Sequence, residues 1–100
     1  MSDSPVEIMA VPVVSTCHLS REEGQRKAEA WPTHCHESTY GFIVYVGHAS
    51  DLRSVISEGD GPALWPGLLA AAAWAEKHGM EWIRFDADGP EQPGLPVWGW

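Results

Sequence analysis

The chain has 100 residues, 44% of them hydrophobic and 20% charged, which is the size and composition of one compact globular domain. Fourteen acidic residues against six Lys and Arg give a formal net charge of −8, and this charge opposes binding to DNA, RNA or an anionic membrane. The longest apolar stretch, residues 68–75, falls well short of the roughly 20 residues that span a bilayer, and the N-terminus lacks a signal-peptide pattern. The sequence therefore predicts a soluble, cytoplasmic protein.

The N-terminal part is predicted to be a frayed terminus followed by an edge strand. Residues 1–5 are polar and end in a proline, so the single folded domain is expected to comprise residues 6–100. Residues 6–15 are rich in Val and Ile, but Pro12 cannot donate a backbone hydrogen bond to a neighbouring strand. We therefore expect an edge strand, or a strand interrupted near its middle.

A short helix and a central strand are predicted next. Ser20 stands three residues before Glu23, which is the spacing of a capping box, and it predicts a helix over residues 21–30. Residues 40–46 are nearly all aromatic or β-branched, a pattern that is typical of a strand buried on both faces. Such a strand belongs in the middle of a sheet.

The second half predicts two helices and at least one strand. Residues 51–58 carry apolar residues at helical spacing and predict one or two helical turns, while residues 66–78 predict a longer helix that stops at Gly79. Residues 81–86 predict a strand, and residues 97–100 could add a short last one. This order predicts an α/β (α+β) fold: a two-layer sandwich with a small mixed sheet of three or four strands and two main helices on one face.

Cysteine and histidine residues cluster in the first half of the chain, at Cys17, His18, His34, Cys35 and His36. On an extended segment His34 and His36 point the same way, and with Cys17 or His18 they would form an alternative Zn²⁺ or Ni²⁺ site. The spacing matches no standard zinc motif, however, and two cysteines in a reducing cytosol are most often free thiols. The main expectation is therefore that the protein has no metal and no cofactor.

Acidic residues dominate the second half of the chain. Asp86 and Asp88 lie at and just after the end of the strand over residues 81–86. Aspartates in this position typically cap the strand end and set a turn, here at the following Gly89 and Pro90. They are also candidates for an acidic face on which carboxylates stand where the phosphates of a nucleic acid would stand. The predicted partner-binding residues are Asp60, Asp86, Asp88 and Glu91, whereas Trp98 is expected in the core.

Several blocks of the sequence together resemble a known family. They are residues 15–20, 40–46, 82–90 and 95–96, with the terminal Trp100. The chain resembles a small uncharacterised domain family carried on plasmids and integrative elements of proteobacteria. The resemblance implies no assigned activity, but it implies a mobile-element setting in which small acidic proteins act against host defences. His18 and Tyr40 fall in the matching blocks, as do Asp86 and Asp88.

The leading hypothesis is a small, acidic, non-enzymatic binding protein that inhibits a host nucleic-acid-handling complex by occupying a basic protein surface, as an anti-CRISPR or anti-restriction protein does. Its expected partner is a subunit of a CRISPR or restriction effector. The alternative is a metal-binding regulator or metal-dependent enzyme built on the Cys and His cluster. A third hypothesis is a partner subunit whose Trp-rich C-terminus completes another sheet, so the chain is expected to be a monomer or a homodimer.

Overall fold

The computed structural model describes residues 11–59 and 61–98, and it contains a four-stranded sheet with helices. The strands are β1 (Val13–Ser15), β2 (Cys35–Ser38), β3 (Gly41–Tyr45) and β4 (Trp82–Asp86). The helices are α1 (Arg21–Gln25), α2 (Ala49–Glu58) and α3 (Pro66–Lys77). Short 3-10 turns lie at Thr16–His18, Ala28–Ala30 and Pro62–Leu64.

The sheet is mixed, with the strand order β1-β4-β3-β2. β1 pairs with β4 in parallel, whereas β3 pairs with both β4 and β2 in antiparallel orientation. Val14, Phe85 and Phe42 lie side by side in this register, so they share one face of the sheet. The predicted α+β sandwich is confirmed, and so are the edge position of β1 and the interior position of β3.

The hydrophobic core lies between one face of the sheet and the helices. β4 alternates strictly, so that Ile83 and Phe85 are buried while their neighbours are half-exposed. Trp31 packs at the centre, with its ring 5.0 Å from the ring of Phe42 and 5.0 Å from that of Trp65. The helices contribute the apolar side chains of Leu52 and Ile56 from α2 and of Leu68, Ala71, Ala72 and Ala75 from α3 to this core. The small alanine side chains let α3 pack close to the sheet.

The opposite face of the sheet carries a row of aromatic rings. Tyr45 packs edge-on against Trp82 at 5.2 Å between ring centroids, and His34 lies 6.3 Å from Tyr45. Because this face is only half-buried, the pattern of β3 is alternating rather than the two-sided burial expected for residues 40–46. Among the described residues, no helix is long and apolar enough to cross a membrane.

Two predicted elements differ from the structure in their extent. The helix expected over residues 21–30 ends at Gln25, and the backbone of Arg26 is extended, because the chain must turn to bring Trp31 into the core. The strand expected over residues 6–15 begins only at Val13, and residues 1–10 lie outside the described residues together with the predicted frayed terminus.

The C-terminal segment also differs from its prediction. Residues 97–98 form no strand, and the backbone N–H of Trp98 instead donates to the carbonyl of Cys17 at 2.8 Å. Trp98 is half-buried rather than part of the core, and residues 99–100 lie outside the described residues. The proline-rich sequence before it explains this outcome, because prolines supply no N–H groups for strand pairing.

Candidate functional site

Two buried polar side chains, His18 and Glu23, hold the fold together. Both oxygens of the fully buried Glu23 carboxylate accept backbone hydrogen bonds: Oε1 from Ser20 N at 2.8 Å and from Gly67 N at 2.9 Å, and Oε2 from Leu68 N at 2.8 Å. The predicted capping box of α1 is thus confirmed, and the same carboxylate also caps the N-terminus of α3. Because both oxygens of the buried Glu23 carboxylate accept from backbone donors, its role is structural.

His18 is 1% exposed and fastens the C-terminal segment to the rest of the domain. Its Nδ1 lies 2.8 Å from the carbonyl of Pro96, and its Nε2 accepts a hydrogen bond from the N–H of Gln92 at 2.8 Å. This pattern requires the neutral ring with its proton on Nδ1. With both nitrogens engaged by backbone groups, His18 has no atom left to bind a substrate or a metal ion.

Three of the four predicted acidic residues lie at the end of β4 or on the loop that follows it. Asp86 is only 13% exposed at its side chain, and its carboxylate accepts from the N–H of Asp88 at 2.8 Å and lies 3.3 Å from the guanidinium of Arg84. Asp88 and Glu91 are exposed. The expectation that Asp86 sets a turn is confirmed, since Gly89 N also donates to its carbonyl at 2.9 Å. Asp60 lies outside the described residues.

Backbone hydrogen bonds fix this loop, residues 87–91, which we call the acidic loop. The N–H of Ala87 donates to the carbonyl of Tyr40, and that of Ser15 donates to the carbonyl of Pro90, both at 2.8 Å. Gly89 packs against the backbone of β1 so closely that a Cβ atom there would lie 2.7 Å from the carbonyl oxygen of Val14. The acidic loop therefore holds its exposed carboxylates on a rigid backbone.

The cysteine and histidine residues are not brought together. Within residues 11–59 and 61–98, no three His, Cys, Asp or Glu side chains form a group that could hold a metal ion, so Cys17 is not gathered with His34 and His36. Cys17 instead lies beside Glu91, with 3.8 Å between Sγ and Oε1. Burial, followed by the charge of Glu37, raises the pKa of Cys35 to about 12, so this thiol is protonated at neutral pH.

The blocks that carry the family resemblance meet in space. His18 from the first block contacts Pro96 from the last, Tyr40 accepts a hydrogen bond from Ala87, and β3 pairs with β4. Tyr40 itself stands at the turn between β2 and β3, with 58% of its surface exposed. These contacts bring the separated blocks together, where they build the sheet and close the acidic loop.

The family described as "Family of unknown function (DUF5983) C-terminal domain" matches residues 11–100, which include every residue of this site. The chain belongs to the DUF5983 family. No match was found among curated proteins or among solved structures. Membership of DUF5983 supports the resemblance to an uncharacterised domain family, and it assigns no activity to the acidic loop.

Sequence reasoning missed the second role of Glu23, which caps α3 as well as α1. The capping-box spacing of Ser20 and Glu23 predicted the local contact, but no local pattern encodes the contact with α3. One feature of the sequence could have indicated this contact: Gly67 is the second residue of the predicted helix, and glycine destabilises a helix unless close packing requires it. A Cβ at Gly67 would lie 2.4 Å from the carbonyl oxygen of His18, so only glycine allows α3 to approach.

Proposed function

We propose that this protein is a non-enzymatic binding protein whose acidic loop docks on a basic surface of a protein partner. In this proposal the partner is a nucleic-acid-handling defence complex, and the protein acts as an anti-CRISPR or anti-restriction inhibitor in the mobile-element setting that the family resemblance implies. The carboxylates of Asp88 and Glu91 take the positions that phosphates of the nucleic acid would take on the partner.

The observation that carries this proposal is the exposure of Asp88 and Glu91 on a hydrogen-bonded backbone. A fixed loop loses little conformational freedom when it binds, so charged contacts made by it contribute more to affinity than those of a flexible tail. The formal net charge of −8 adds long-range attraction to a basic partner and speeds association.

Asp86 was predicted to contact the partner, but in this proposal it has a structural role. Its carboxylate is engaged by the N–H of Asp88 and by Arg84, so it shapes the acidic loop rather than facing a partner. Asp88 and Glu91 are therefore the residues to test, because their substitution leaves the turn at Gly89 intact.

The test is a charge reversal on the acidic loop. We expect the double variant Asp88→Lys/Glu91→Lys to bind its partner at least about tenfold more weakly than the unmodified protein, since each lost contact between opposite charges costs about 1 kcal/mol or more. The partner is sought by pull-down from purified CRISPR and restriction effectors at low salt, and its affinity is then measured by calorimetry. Raising the ionic strength should weaken the complex steeply.

The matched control is Glu58→Lys/Glu81→Lys, which changes the net charge equally with exposed residues at the end of α2 and before the start of β4. This control should lose less than about threefold in affinity, because it alters only the long-range field. Equal losses in both variants, or no bound effector at low salt, would contradict the proposal.

A further inference from the structure

A cleft of about 400 Å³ opens between the end of α1 and the turn that joins β2 to β3. It is independent of the exposed carboxylates of the acidic loop and shares only Ala87 with that loop. The lining residues with a charged, hydroxyl-bearing or aromatic side chain that could contact a ligand include Thr16, Arg26, Lys27, Ser38, Tyr40 and Phe42. This size fits a small organic molecule rather than a protein segment.

Two neighbouring cations line this cleft in a chain that has only six Lys and Arg residues. The guanidinium carbon of Arg26 lies 4.7 Å from the ring centroid of the buried Trp65, which fixes the side chain in place. The one acidic residue of the lining, Glu37, has its Oε1 engaged by the N–H of Ala28 at 3.0 Å. Glu37 keeps its negative charge, so the two cations exceed the acidic charge of the lining by one.

Hydroxyl groups and aromatic surface complete the lining. The Oγ of Ser38 is enclosed and has no hydrogen-bond partner among the described residues, although buried polar atoms are nearly always paired. Rotation about its Cα–Cβ bond would redirect this hydroxyl towards a molecule in the cleft. Tyr40 is 58% exposed, and its ring offers a face on which a planar group can stack.

We propose that this cleft binds a phosphate monoester carried on a planar ring. A phosphate monoester carries close to two negative charges at neutral pH and three acceptor oxygens. The lining offers it two cations and two hydroxyl groups, and the carboxylate of Glu37 in the same lining is engaged by the N–H of Ala28. In this site Lys27 and Arg26 neutralise the phosphate, Ser38 and Thr16 donate hydrogen bonds to it, and Tyr40 stacks on the ring.

The test is a nuclear magnetic resonance titration of the full chain with adenosine 5′-monophosphate, compared with adenosine and with inorganic phosphate. We expect the monophosphate to shift the amide signals of residues 24–27 and 38–42 and to saturate below about 5 mM. Adenosine lacks the phosphate and inorganic phosphate lacks the planar ring, so each should bind at least about fivefold more weakly than the monophosphate.

Variants locate the site. Lys27→Met and Tyr40→Ala should each weaken the monophosphate about tenfold, because one removes a charge-assisted hydrogen bond and the other a stacking surface. The matched control Lys77→Met removes an exposed lysine from the last turn of α3 and should leave the affinity unchanged. The proposal would be overturned if the amide shifts mapped away from the cleft, or if adenosine or inorganic phosphate bound as tightly as the monophosphate. It would also be overturned if Lys27→Met and Lys77→Met lowered the affinity equally.

Discussion

At the scale of single residues, Glu23 joins two helices through one buried carboxylate. Its oxygens accept hydrogen bonds from Ser20, the N-cap residue of α1, and from Gly67 and Leu68 in the first turn of α3. The first turn of a helix has N–H groups without intrahelical partners, and here a side chain from another helix supplies the acceptor. Gly67 makes this possible, because a larger residue would separate the helix from the backbone of His18.

We predict that Glu23→Gln lowers the free energy of unfolding by about 2 to 4 kcal/mol. An amide group replaces one acceptor oxygen with an NH₂ donor, which then faces a backbone N–H in a buried site. Urea denaturation followed by tryptophan fluorescence measures this change. The exposed neighbour Glu22 provides the control, and Glu22→Gln should change stability by less than about 0.5 kcal/mol. Equal effects of the two substitutions would show that the buried carboxylate is not a structural link.

At the scale of elements, the segment from Gln92 to Trp98 is bound to the domain without belonging to a strand or helix. Leu95 is buried, and the ring of His18 contacts both Gln92 N and Pro96 O. Within residues 11–59 and 61–98, the His18 ring makes two of the three hydrogen bonds that join this segment to the rest of the domain, and Trp98 N makes the third. The segment should therefore open separately from the sheet when those contacts are removed.

We predict that His18→Phe, which keeps the volume of the ring and removes both hydrogen bonds, raises amide hydrogen exchange at Gln92 and Trp98 at least about tenfold. Amides in the middle of α3 should change far less, because their hydrogen bonds lie within the helix. The control is His48→Phe, since His48 is exposed and makes no side-chain cap hydrogen bond at the start of α2. A uniform rise in exchange over the whole domain would contradict the separate opening of this segment.

The elements that sequence reasoning predicted well are those with strong local signals. α3 begins at a proline and ends just before Gly79, and β4 alternates between apolar and polar residues, so both were placed to within a residue or two. β2 was missed because Cys35–Ser38 is short and polar, with only Cys35 packed against the core. β2 forms because it pairs with β3, and such pairing cannot be predicted from the few residues of a short edge strand.

At the scale of the whole molecule, the composition predicted the net charge, but it could not predict which contacts each carboxylate makes. The sequence predicted an acidic face with Asp86 as one of its members, whereas the structure engages that side chain with Arg84 and the N–H of Asp88. Glu23 is buried and unavailable to a partner. Which of the predicted partner-binding residues remain exposed depends on tertiary contacts, and these leave Asp88 and Glu91 exposed while Asp86 is engaged.

The excess of negative charge should also act on stability. Two like charges 10 Å apart in water repel by about 0.4 kcal/mol. For a formal charge of −8, the repulsion in the compact folded chain should exceed that in the expanded unfolded chain by an amount on the order of 1 kcal/mol. Salt screens this repulsion in the folded protein more than in the expanded unfolded chain. We predict that raising NaCl from about 20 mM to about 300 mM increases the melting temperature by about 4 to 8 °C.

Differential scanning calorimetry measures this shift, and a charge variant separates screening from other effects of salt. Glu58→Lys/Glu81→Lys halves the formal net charge, so its melting temperature should depend on salt much less steeply than that of the unmodified protein. Equal slopes for the two proteins would assign the stabilisation to the general effect of salt on apolar surface rather than to charge. A fall in melting temperature with salt would mean that attractive pairs such as Arg84 and Asp86 outweigh the repulsion.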